Sequence, residues 1–231
     1  MLLGREGMER LESSNVLVVG LGGVGAYAAE MVCRAGVGKM TIVDGDTVHQ
    51  SNRNRQLPAL ESTEGSPKAL IMSVRLKDIN PALNLTSFNE YIKDERMKEI
   101  LDSGFDYVID AIDTLSPKVF LVYHAVMKKI PVVSSMGAGG KFNPEKISVR
   151  DISETTDCPL ARILRKRLHR LGIRNGVTAV YSPEVIDKSK VHPVPGERNK
   201  ASIVGTISYM PAAFGIACAS VVIRDLAGIQ R

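Results

Sequence analysis

The sequence of 231 residues contains no tryptophan, and aromatic residues make up only 5% of it. Because hydrophobic residues still account for 44%, the chain can bury a core of aliphatic side chains, which excludes a disordered protein. No apolar run reaches the length of a transmembrane helix, and the N-terminal stretch "MLLGREGMERLESSN" lacks the hydrophobic region of a signal peptide. We therefore expect a cytoplasmic protein with no membrane contact.

Cysteine is also scarce, and acidic residues are missing from one long segment. Cys33, Cys158 and Cys218 form no CxxC pair, which argues against a structural zinc site and against a disulfide framework. Cys33 and Cys218 lie among apolar residues and are expected to pack in the core, whereas the role of Cys158 stays open. Residues 158–183 contain no acid, so the net charge of +5 is unevenly distributed.

Apolar runs alternate with helix-forming segments through the first 135 residues. This alternation predicts an α/β fold with a doubly wound, mainly parallel, Rossmann-like sheet. Strands are predicted at 15–20, 39–44, 85–88, 105–113 and 130–135, and helices at 23–35, 67–79, 94–101 and from Asp113 to 129.

The C-terminal half departs from this pattern and predicts an elaboration of the sheet. We expect one domain over 1–231, with a nucleotide-binding core at 1–140 and a substrate-facing elaboration with a closing helix at 141–231. The predicted elements are a strand of an added hairpin at 146–152, an amphipathic helix at 158–173, a short strand at 178–182, a mobile loop at 182–203 and an apolar helix at 209–228.

The segment "GLGGVG", from Gly20 to Gly25, fits the GxGxxG pattern between a strand and a helix. Its glycines let backbone N–H groups approach a phosphate, and the helix N-terminus favours negative charge. Asp44 ends the second strand, where such folds place an acid that holds ribose hydroxyls. The alternatives are a tight structural turn and an ordinary helix cap, and the motif alone does not choose between NAD, FAD and ATP.

The loop after the second strand, "GDTVHQSNRNRQ", favours nucleotidyl transfer over redox chemistry. Hydride transfer neutralises no growing phosphate charge, whereas attack on the α-phosphate of ATP builds charge on phosphoryl oxygens that cations and Mg²⁺ stabilise. Open α/β folds bind ligands where their strands end, so we interpret the polar side chains there as one ATP site rather than as solvated surface residues. They are two cations, two amides and one carboxylate for Mg²⁺: Arg55, Lys68, Asn52, Gln56 and Asp113.

Four ordered motifs resemble the ubiquitin-activating-enzyme-like adenylating family: GxGGxG, D-x-D-x-V-x-x-S-N-x-x-R-Q, a downstream P-K, and a strand ending in D-x-x-D. The resemblance implies that Asp44 holds the ribose and that Asp113 binds Mg²⁺. It also implies that Asn52, Arg55 and Lys68 contact the phosphates, with Arg55, Lys68 and Asp113 as the catalytic residues. The matching residues are Gly20, Gly22, Gly23, Gly25, Asp44, Asp46, Ser51, Asn52, Arg55, Gln56, Lys68, Asp110 and Asp113.

Nearly the whole chain is similar to one branch of that family, the tRNA threonylcarbamoyladenosine dehydratases. The similar segments include "AGVGKMTIVDGDTV", "NRNRQLPAL", "YVIDAIDTLSPK", "VVSSMGAGGK", "CPLARILRKRL" and "GTISYMPAAFG". The resemblance implies that ATP activates the carboxylate of threonylcarbamoyladenosine in tRNA and that the side chain then cyclises, with release of AMP and pyrophosphate. It further implies a homodimer, and it leaves an assisting sulfur-relay protein open as a partner.

The acid-free helix is the candidate tRNA contact. At helical spacing its leucines fall on one side and leave the cations exposed, and a basic helix near a nucleotide site can bind the phosphate backbone. The alternative is a solvated helix face. In the turn "SSMGAGGK" a lysine could meet an anion, and serine hydroxyls and backbone carbonyls could hold a monovalent cation. The candidate tRNA-binding residues are Lys141, Arg162, Arg165 and Lys166.

Three other functions stay open. Adenylation of a ubiquitin-like sulfur carrier usually goes with a thiol or zinc module, which the cysteine pattern disfavours. An NAD-dependent oxidoreductase leaves Arg55 and Lys68 unexplained, and a non-catalytic, nucleotide-gated binding module would not consume ATP.

In relatives, an N-terminal arm carries an arginine that reaches the partner subunit's ATP site. Alignment of "LLGREGMERL" places it upstream of Met1, so either the start is truncated, or Arg5 or Arg10 substitutes, or adenylation is impaired.

Overall fold

The computed structural model describes residues 2–92, 94–186, 191–193 and 202–229. Its centre is a seven-stranded sheet in which every neighbouring pair is parallel except the last, which is antiparallel. The strands are β1 Asn15–Val19, β2 Lys39–Val43, β3 Asn84–Phe88, β4 Tyr107–Asp110, β5 Val132–Ser135, β6 Ser148–Asp151 and β7 Thr178–Tyr181. Their order across the sheet is β3-β2-β1-β4-β5-β7-β6, which confirms the predicted doubly wound, mainly parallel sheet.

Helices cover both faces of this sheet. The seven α-helices of the described residues are α1 Gly4–Ser13, α2 Gly25–Arg34, α3 Lys68–Ile79, α4 Asp94–Leu101, α5 Leu115–Met127, α6 Pro159–Arg170 and α7 Tyr209–Leu226. Short 3₁₀ turns lie at Gln50–Asn52, Glu61–Thr63, Pro144–Lys146 and Ile152–Glu154.

The central strands are apolar along their whole length because both of their faces are buried. Val16 and Val18 of β1 pack into a cluster with α2, α3 and α7, whereas Leu17 and Val19 pack into a second cluster with α4, α5 and α6. Side chains of a strand alternate between its two faces, so a strand covered on both sides reads as a continuous hydrophobic run. Because these strands run in the same direction, their carboxyl ends lie at one edge of the sheet, here called the carboxyl edge.

Several predicted elements need correction. Helix α1 was not predicted, and the strand expected to run to Asp113 ends at Asp110. The strand expected as part of a hairpin, β6, does pair antiparallel with β7, but α6 lies between them in the chain. Within the expected loop at 182–203, Val191–Pro193 (β8) pairs antiparallel with Ser202–Val204 (β9). Residues 187–190 and 194–201 of that loop lie outside the described residues.

Helix α7 was not expected to reach the length of a membrane span, but it does. Among the described residues it is the one helix whose 18 residues and mean hydropathy of 1.3 would allow a crossing. Its side chains instead fill the protein core, because Met210, Phe214, Cys218 and Val222 recur at helical spacing and are fully buried against α2 and the sheet. A helix buried in this way is a core helix, so its composition carries no evidence for a membrane.

The two N-terminal arginines lie away from the carboxyl edge. Helix α1 packs where β1 and β2 begin, since the Gly38 N–H donates to the Leu11 carbonyl. Arg5 pairs with Glu9, and Arg10 pairs with Glu6, within the same helix. Within this chain, neither arginine is placed to substitute for an arginine at a site on the opposite edge of the sheet.

Candidate nucleotide-binding and active site

The glycine turn between β1 and α2 is formed by close backbone contacts. Gly20 has φ of +90°, and a Cβ added there would lie 2.7 Å from the carbonyl oxygen of Ala111. A Cβ on Gly25 would collide with the Gly20 carbonyl. Gly22 and Gly23 border Gln56 and Pro211. The turn therefore excludes side chains at its two ends and presents backbone at the N-terminus of α2, which is the geometry that accepts an anion.

Asp44 links the end of β2 to this turn. Its carboxylate accepts hydrogen bonds from the Leu21 N–H at 2.6 Å and from the Asp46 N–H at 2.7 Å. Burial raises the pKa of Asp44, although these backbone hydrogen bonds and the charge of Lys68 oppose the rise. Each carboxylate oxygen keeps acceptor capacity beyond its one backbone bond, so a further hydroxyl donor can bind here.

Lys68 is held by a carboxylate from the crossover loop between β2 and α3. The lysine is only 4% exposed, and its Nζ lies 3.0 Å from Asp46 Oδ2. The Tyr91 hydroxyl donates to the other oxygen of Asp46. That hydrogen bond, followed by burial and by the charges of Asp46, Asp44 and Asp113, raises the pKa of Tyr91 to about 12. The charges of three carboxylates thus act on one phenol, and one lysine balances part of them.

Tyr91 was missed by the sequence interpretation. It follows β3 at the carboxyl edge, and Gly45 lies so close to it that a Cβ on this glycine would be 2.7 Å from the ring. The tyrosine is 74% exposed, although aromatic residues are scarce in this chain. Its position after a strand end was the signal that could have identified it.

The rest of the crossover loop contains the predicted amides and Arg55, of which the Gln56 amide and the Arg55 carbonyl border the glycine turn. The Arg55 guanidinium donates to the Ser51 carbonyl at 2.9 Å and to Asn54 Oδ1 at 2.7 Å. Asn52 is buried, and its Oδ1 accepts from the His49 N–H at 3.2 Å. Gln56 Oε1 is buried and has no hydrogen-bond partner among the described residues. A buried acceptor normally has a donor, so this amide beside Gly22 is suited to a ligand or a water.

The two aspartates of the D-x-x-D motif have different environments. Asp113 lies in the loop between β4 and α5 and is exposed, and its charge acts on Tyr91 together with those of Asp44 and Asp46. Asp110 is fully buried, and its Oδ2 accepts from Lys118 Nζ at 2.7 Å and from Ser134 Oγ at 2.5 Å. Lys118 was not singled out from the sequence. Only Asp113 of this motif is therefore accessible to a metal ion.

Lys141, which the sequence suggested could meet an anion, is a buried lysine. It is 1% exposed, and its Nζ donates to the carbonyls of Ser182, at 3.2 Å, and of Glu184. Burial lowers the pKa of Lys141, although the charges of Cys158, Glu184 and Asp157 oppose the change. The Glu184 carboxylate in turn accepts from the backbone N–H groups of residues 142 and 143. Lys141 therefore joins two loops and does not face solvent in this conformation.

Helix α6 exposes most, but not all, of the predicted tRNA-binding cations. Arg162 and Lys166 are exposed. Arg165 is half-buried, because its guanidinium donates to the Ile152 carbonyl at 3.1 Å and to the carbonyl and hydroxyl oxygens of Thr155 at 2.8 and 2.6 Å. Arg165 thus holds the preceding turn, which the sequence did not reveal. A shallow groove of about 410 Å³ on this face is lined by Arg162, Arg165, Lys166, His169 and Arg170.

Comparison with known proteins gives a consistent set of relatives. The sequence model of the ThiF family matches residues 1–231. The tRNA threonylcarbamoyladenosine dehydratase of Bacillus subtilis is 42% identical over 184 residues, which are 80% of this chain and 72% of that protein. The protein of the same name from Escherichia coli is 37% identical over 192 residues, with the same two coverages.

A solved structure matches the fold along almost the whole chain. It is that of E. coli tRNA N6-threonylcarbamoyladenosine dehydratase, TcdA, in complex with ATP, which is 33% identical. The TM-score is 0.89, and the match covers 98% of this chain and 91% of that one.

Proposed function

The chain belongs to the ThiF family, and we propose that, like the relatives named above, it is an ATP-dependent tRNA threonylcarbamoyladenosine dehydratase. The observation that carries this proposal is the convergence of the glycine turn, Asp44, Lys68 and Asp113 at one carboxyl edge. An edge with backbone donors, a cation and free carboxylate capacity suits a nucleoside triphosphate and its metal ion.

ATP would bind along the line from Asp44 to the glycine turn. Asp44 would hold the ribose hydroxyls, and backbone N–H groups of residues 22–25 would meet a phosphate. Asn52, Arg55 and Lys68 would contact the remaining phosphates. The Gln56 amide oxygen, a buried acceptor with no partner among the described residues, would accept from a donor group of the nucleotide or from a water. Phosphate oxygens would compete with Asp46 for the Lys68 ammonium.

Asp113 would hold Mg²⁺ together with the phosphates of ATP. Mg²⁺ commonly binds through one or two carboxylates plus substrate phosphates and keeps several waters. The donor set fits this mode, since the described residues contain no cluster of three His, Cys, Asp or Glu that would cage an ion without a nucleotide. When bound, the ion neutralises charge on phosphate oxygens.

A monovalent cation would bind in the turn after β5, to serine hydroxyl oxygens and backbone carbonyls. The Ser134 hydroxyl donates to Asp110, and the Ser135 hydroxyl donates to the Met136 carbonyl. A hydroxyl that donates its hydrogen keeps oxygen lone pairs, so both serines could still ligate a cation.

The reaction would proceed in two transfers at this edge. A carboxylate oxygen of the modified adenosine attacks the α-phosphorus of ATP, and the bond to pyrophosphate breaks. Arg55 and Lys68 stabilise the charge that grows on the phosphoryl oxygens. A nucleophilic atom of the same side chain then attacks the activated carbonyl carbon, loses its proton and expels AMP. The modified nucleoside has lost one water in total.

The tRNA backbone would bind along α6. Arg162, Lys166 and Arg170 are exposed on one helix face, and phosphate contacts of this kind position a nucleic acid without reading its sequence. We do not include Lys141 or Arg165 in this contact, because the ammonium and the guanidinium each donate to protein oxygens.

The assembly and location of the protein are part of the same proposal. Leu70 and Val74 of α3 and Ile216 of α7 are exposed apolar side chains on the same layer of helices, which supports a homodimer. We place the enzyme in the cytoplasm, where its tRNA substrate is found, and a sulfur-relay protein is an additional partner to be tested by binding.

Adenylation of a sulfur carrier with transfer to a thiol is less compatible with the site. All three cysteines are buried, as expected for Cys33 and Cys218, and Cys158 is only 7% exposed. A buried thiol with a raised pKa, as burial gives Cys33 and Cys218, is a poor nucleophile. The described residues therefore offer no exposed thiol to accept an acyl group.

Mass spectrometry of nucleosides tests the proposed function. Threonylcarbamoylated tRNA is incubated with the protein, ATP and Mg²⁺, and tRNA lacking the modification is the control. We expect the modified nucleoside to lose one water only when ATP and Mg²⁺ are both present. ATP consumption without this mass change would indicate another acyl substrate, and no consumption at all would favour a binding module.

A further inference from the structure

A buried charge cluster lies directly behind the proposed Mg²⁺ ligand. Asp110 and Lys118 are both 0% exposed, and Ser134 is also 0% exposed. Lys118 Nζ and Ser134 Oγ donate to one oxygen of Asp110 at 2.7 and 2.5 Å, and the Ile112 N–H donates to the other oxygen at 3.1 Å. We call Asp110, Lys118 and Ser134 the β4–α5 clamp. None of its side chains reaches the surface, so none can contact substrate directly.

This cluster is energetically expensive for a structural contact. Removal of two charges from water can cost more than their attraction returns, so a buried ion pair is weak evidence for stability. Lys118 also lies in the first turn of α5, where the helix dipole disfavours a cation. Cys218 of α7 lies close enough for its pKa to respond to both charges, but burial raises this pKa to about 12 and the thiol stays neutral. A position that only needed packing would be filled better by apolar side chains.

The geometry of the clamp indicates what it determines. Asp110 ends β4 and Lys118 lies in the first turn of α5, so their contact closes the short connection that carries Asp113. The bond from Asp110 to the Ile112 N–H fixes the middle of that connection. The same connection contacts the glycine turn, because the Ala111 carbonyl lies against Gly20 and the Ala111 Cβ lies against Gly25. The clamp therefore sets the distance between the connection that carries Asp113 and the backbone of the glycine turn.

We infer that the β4–α5 clamp is a positioning device that holds Asp113 beside the glycine turn, where its carboxylate could bind Mg²⁺ when ATP is bound. This inference rests on the proposed ATP site and goes beyond it, since it assigns a role to residues that touch neither nucleotide nor metal. Without the clamp, Mg²⁺ should no longer strengthen ATP binding to the same extent, whereas the contacts to the ribose and the phosphates should stay in place.

The test measures ATP affinity by calorimetry, once with Mg²⁺ and once with EDTA. The double variant Asp110→Asn/Lys118→Met removes both charges, so no unpaired buried ion remains. We expect its affinity with Mg²⁺ to fall about tenfold and its affinity in EDTA to change by less than about twofold, because one misplaced carboxylate costs the metal contact alone. The matched control is Glu30→Gln/Arg75→Met, which neutralises an ion pair between α2 and α3 and should leave both affinities at parent values.

Ser134→Ala provides a second, milder test if the double variant does not fold. It removes one hydrogen bond to Asp110 without a change of charge, and we expect about a threefold loss of affinity with Mg²⁺ and none in EDTA. Equal losses with and without Mg²⁺, or no loss in a folded variant, would overturn the inference. Absence of ATP binding by the parent protein would instead count against the proposed function.

Discussion

Lys68 Nζ lies 3.0 Å from Asp46 Oδ2, and the lysine is almost fully buried while Asp46 remains half-exposed. The cation expected to meet ATP phosphates is therefore oriented by a carboxylate of the chain itself. Since Tyr91 donates to the same carboxylate, the lysine, aspartate and tyrosine form one hydrogen-bonded unit at the entrance to the site. Bound phosphate would have to share or replace the carboxylate at the ammonium.

Substitution of Lys68 should impair chemistry far more than folding. We expect Lys68→Met to lower the rate of AMP formation in a single turnover by about 10²–10³-fold, the cost of removing one donor to a developing oxyanion. The remaining partner, Asp46, is accessible to water, so its lost ion pair should cost little stability. Lys128→Met is the matched control, because Lys128 pairs with the exposed Asp102 at a surface site. A parent rate in Lys68→Met would remove this residue from the phosphate site.

Substitution of Asp113 should abolish the response to Mg²⁺. We expect Asp113→Asn to leave the melting temperature within about 2 °C of the parent, since exposed substitutions rarely change stability, and to eliminate Mg²⁺-dependent turnover. Turnover is measured across a Mg²⁺ titration, with Asp78→Asn, an exposed aspartate on α3, as control. A normal Mg²⁺ curve in the Asp113 variant would mean that another group holds the ion.

The sheet and the carboxyl edge were predictable because their signals are local. Continuous apolar runs predict parallel strands that are buried on both faces. The glycine turn, Asp44 and the Asn–Arg loop all follow the ends of such strands in the sequence. Open α/β folds bring such ends together without any further information. The grouping of these residues in space therefore follows from topology, while their catalytic roles remain predictions.

The environments of individual side chains could not be predicted, because partners distant in the chain create them. Lys141 was interpreted as a cation that could meet an anion, but its ammonium donates to the carbonyls of Ser182 and Glu184, some forty residues away. In the sequence Arg165 and Arg162 are equivalent cations of one helix. In the structure Arg165 differs, because its guanidinium donates to carbonyls of the turn at residues 152–155. Helix α1 has mostly polar residues and only two buried ones, Gly7 and Leu11, so few apolar side chains mark it in the sequence.

Arg162 and Lys166, two of the exposed cations of α6, should contribute to tRNA binding by charge alone. We expect Arg162→Gln/Lys166→Gln to weaken binding most at low salt and to reduce the slope of log K against log salt by about 1.4–1.8, since each lost phosphate contact removes about 0.7–0.9 from it. Filter binding over a salt series measures this slope. Arg5→Gln/Lys98→Gln removes two charges from α1 and α4 and should leave it unchanged.

Arg165 should behave differently from its neighbours on α6. Arg165→Gln removes a half-buried guanidinium that donates to three oxygens of Ile152 and Thr155, so we expect it to lower the melting temperature by several degrees, about 2–4 °C for each kcal/mol lost in a chain of this size. Its salt slope should remain close to that of the parent. A stable Arg165→Gln with a reduced slope would show that this arginine contacts phosphate.

Asp151 should make folding sensitive to acid. Burial alone would raise its pKa, but hydrogen bonds from the Ser153 hydroxyl and from the backbone N–H groups of Ser153, Gly176 and Val177 outweigh it and hold the pKa of Asp151 below the ordinary 3.8. A carboxyl group whose pKa is lower in the folded state contributes stability that is complete above the unfolded pKa and is lost as pH falls through the folded one. We therefore expect the melting temperature of the parent to fall more steeply below about pH 4 than that of Asp151→Asn, whose side chain does not titrate. Thermal melts from pH 6 to pH 3 measure the difference, and Asp78→Asn should follow the parent curve. Parallel curves for the parent and Asp151→Asn would mean that protonation of Asp151 does not unfold the β6–β7 edge.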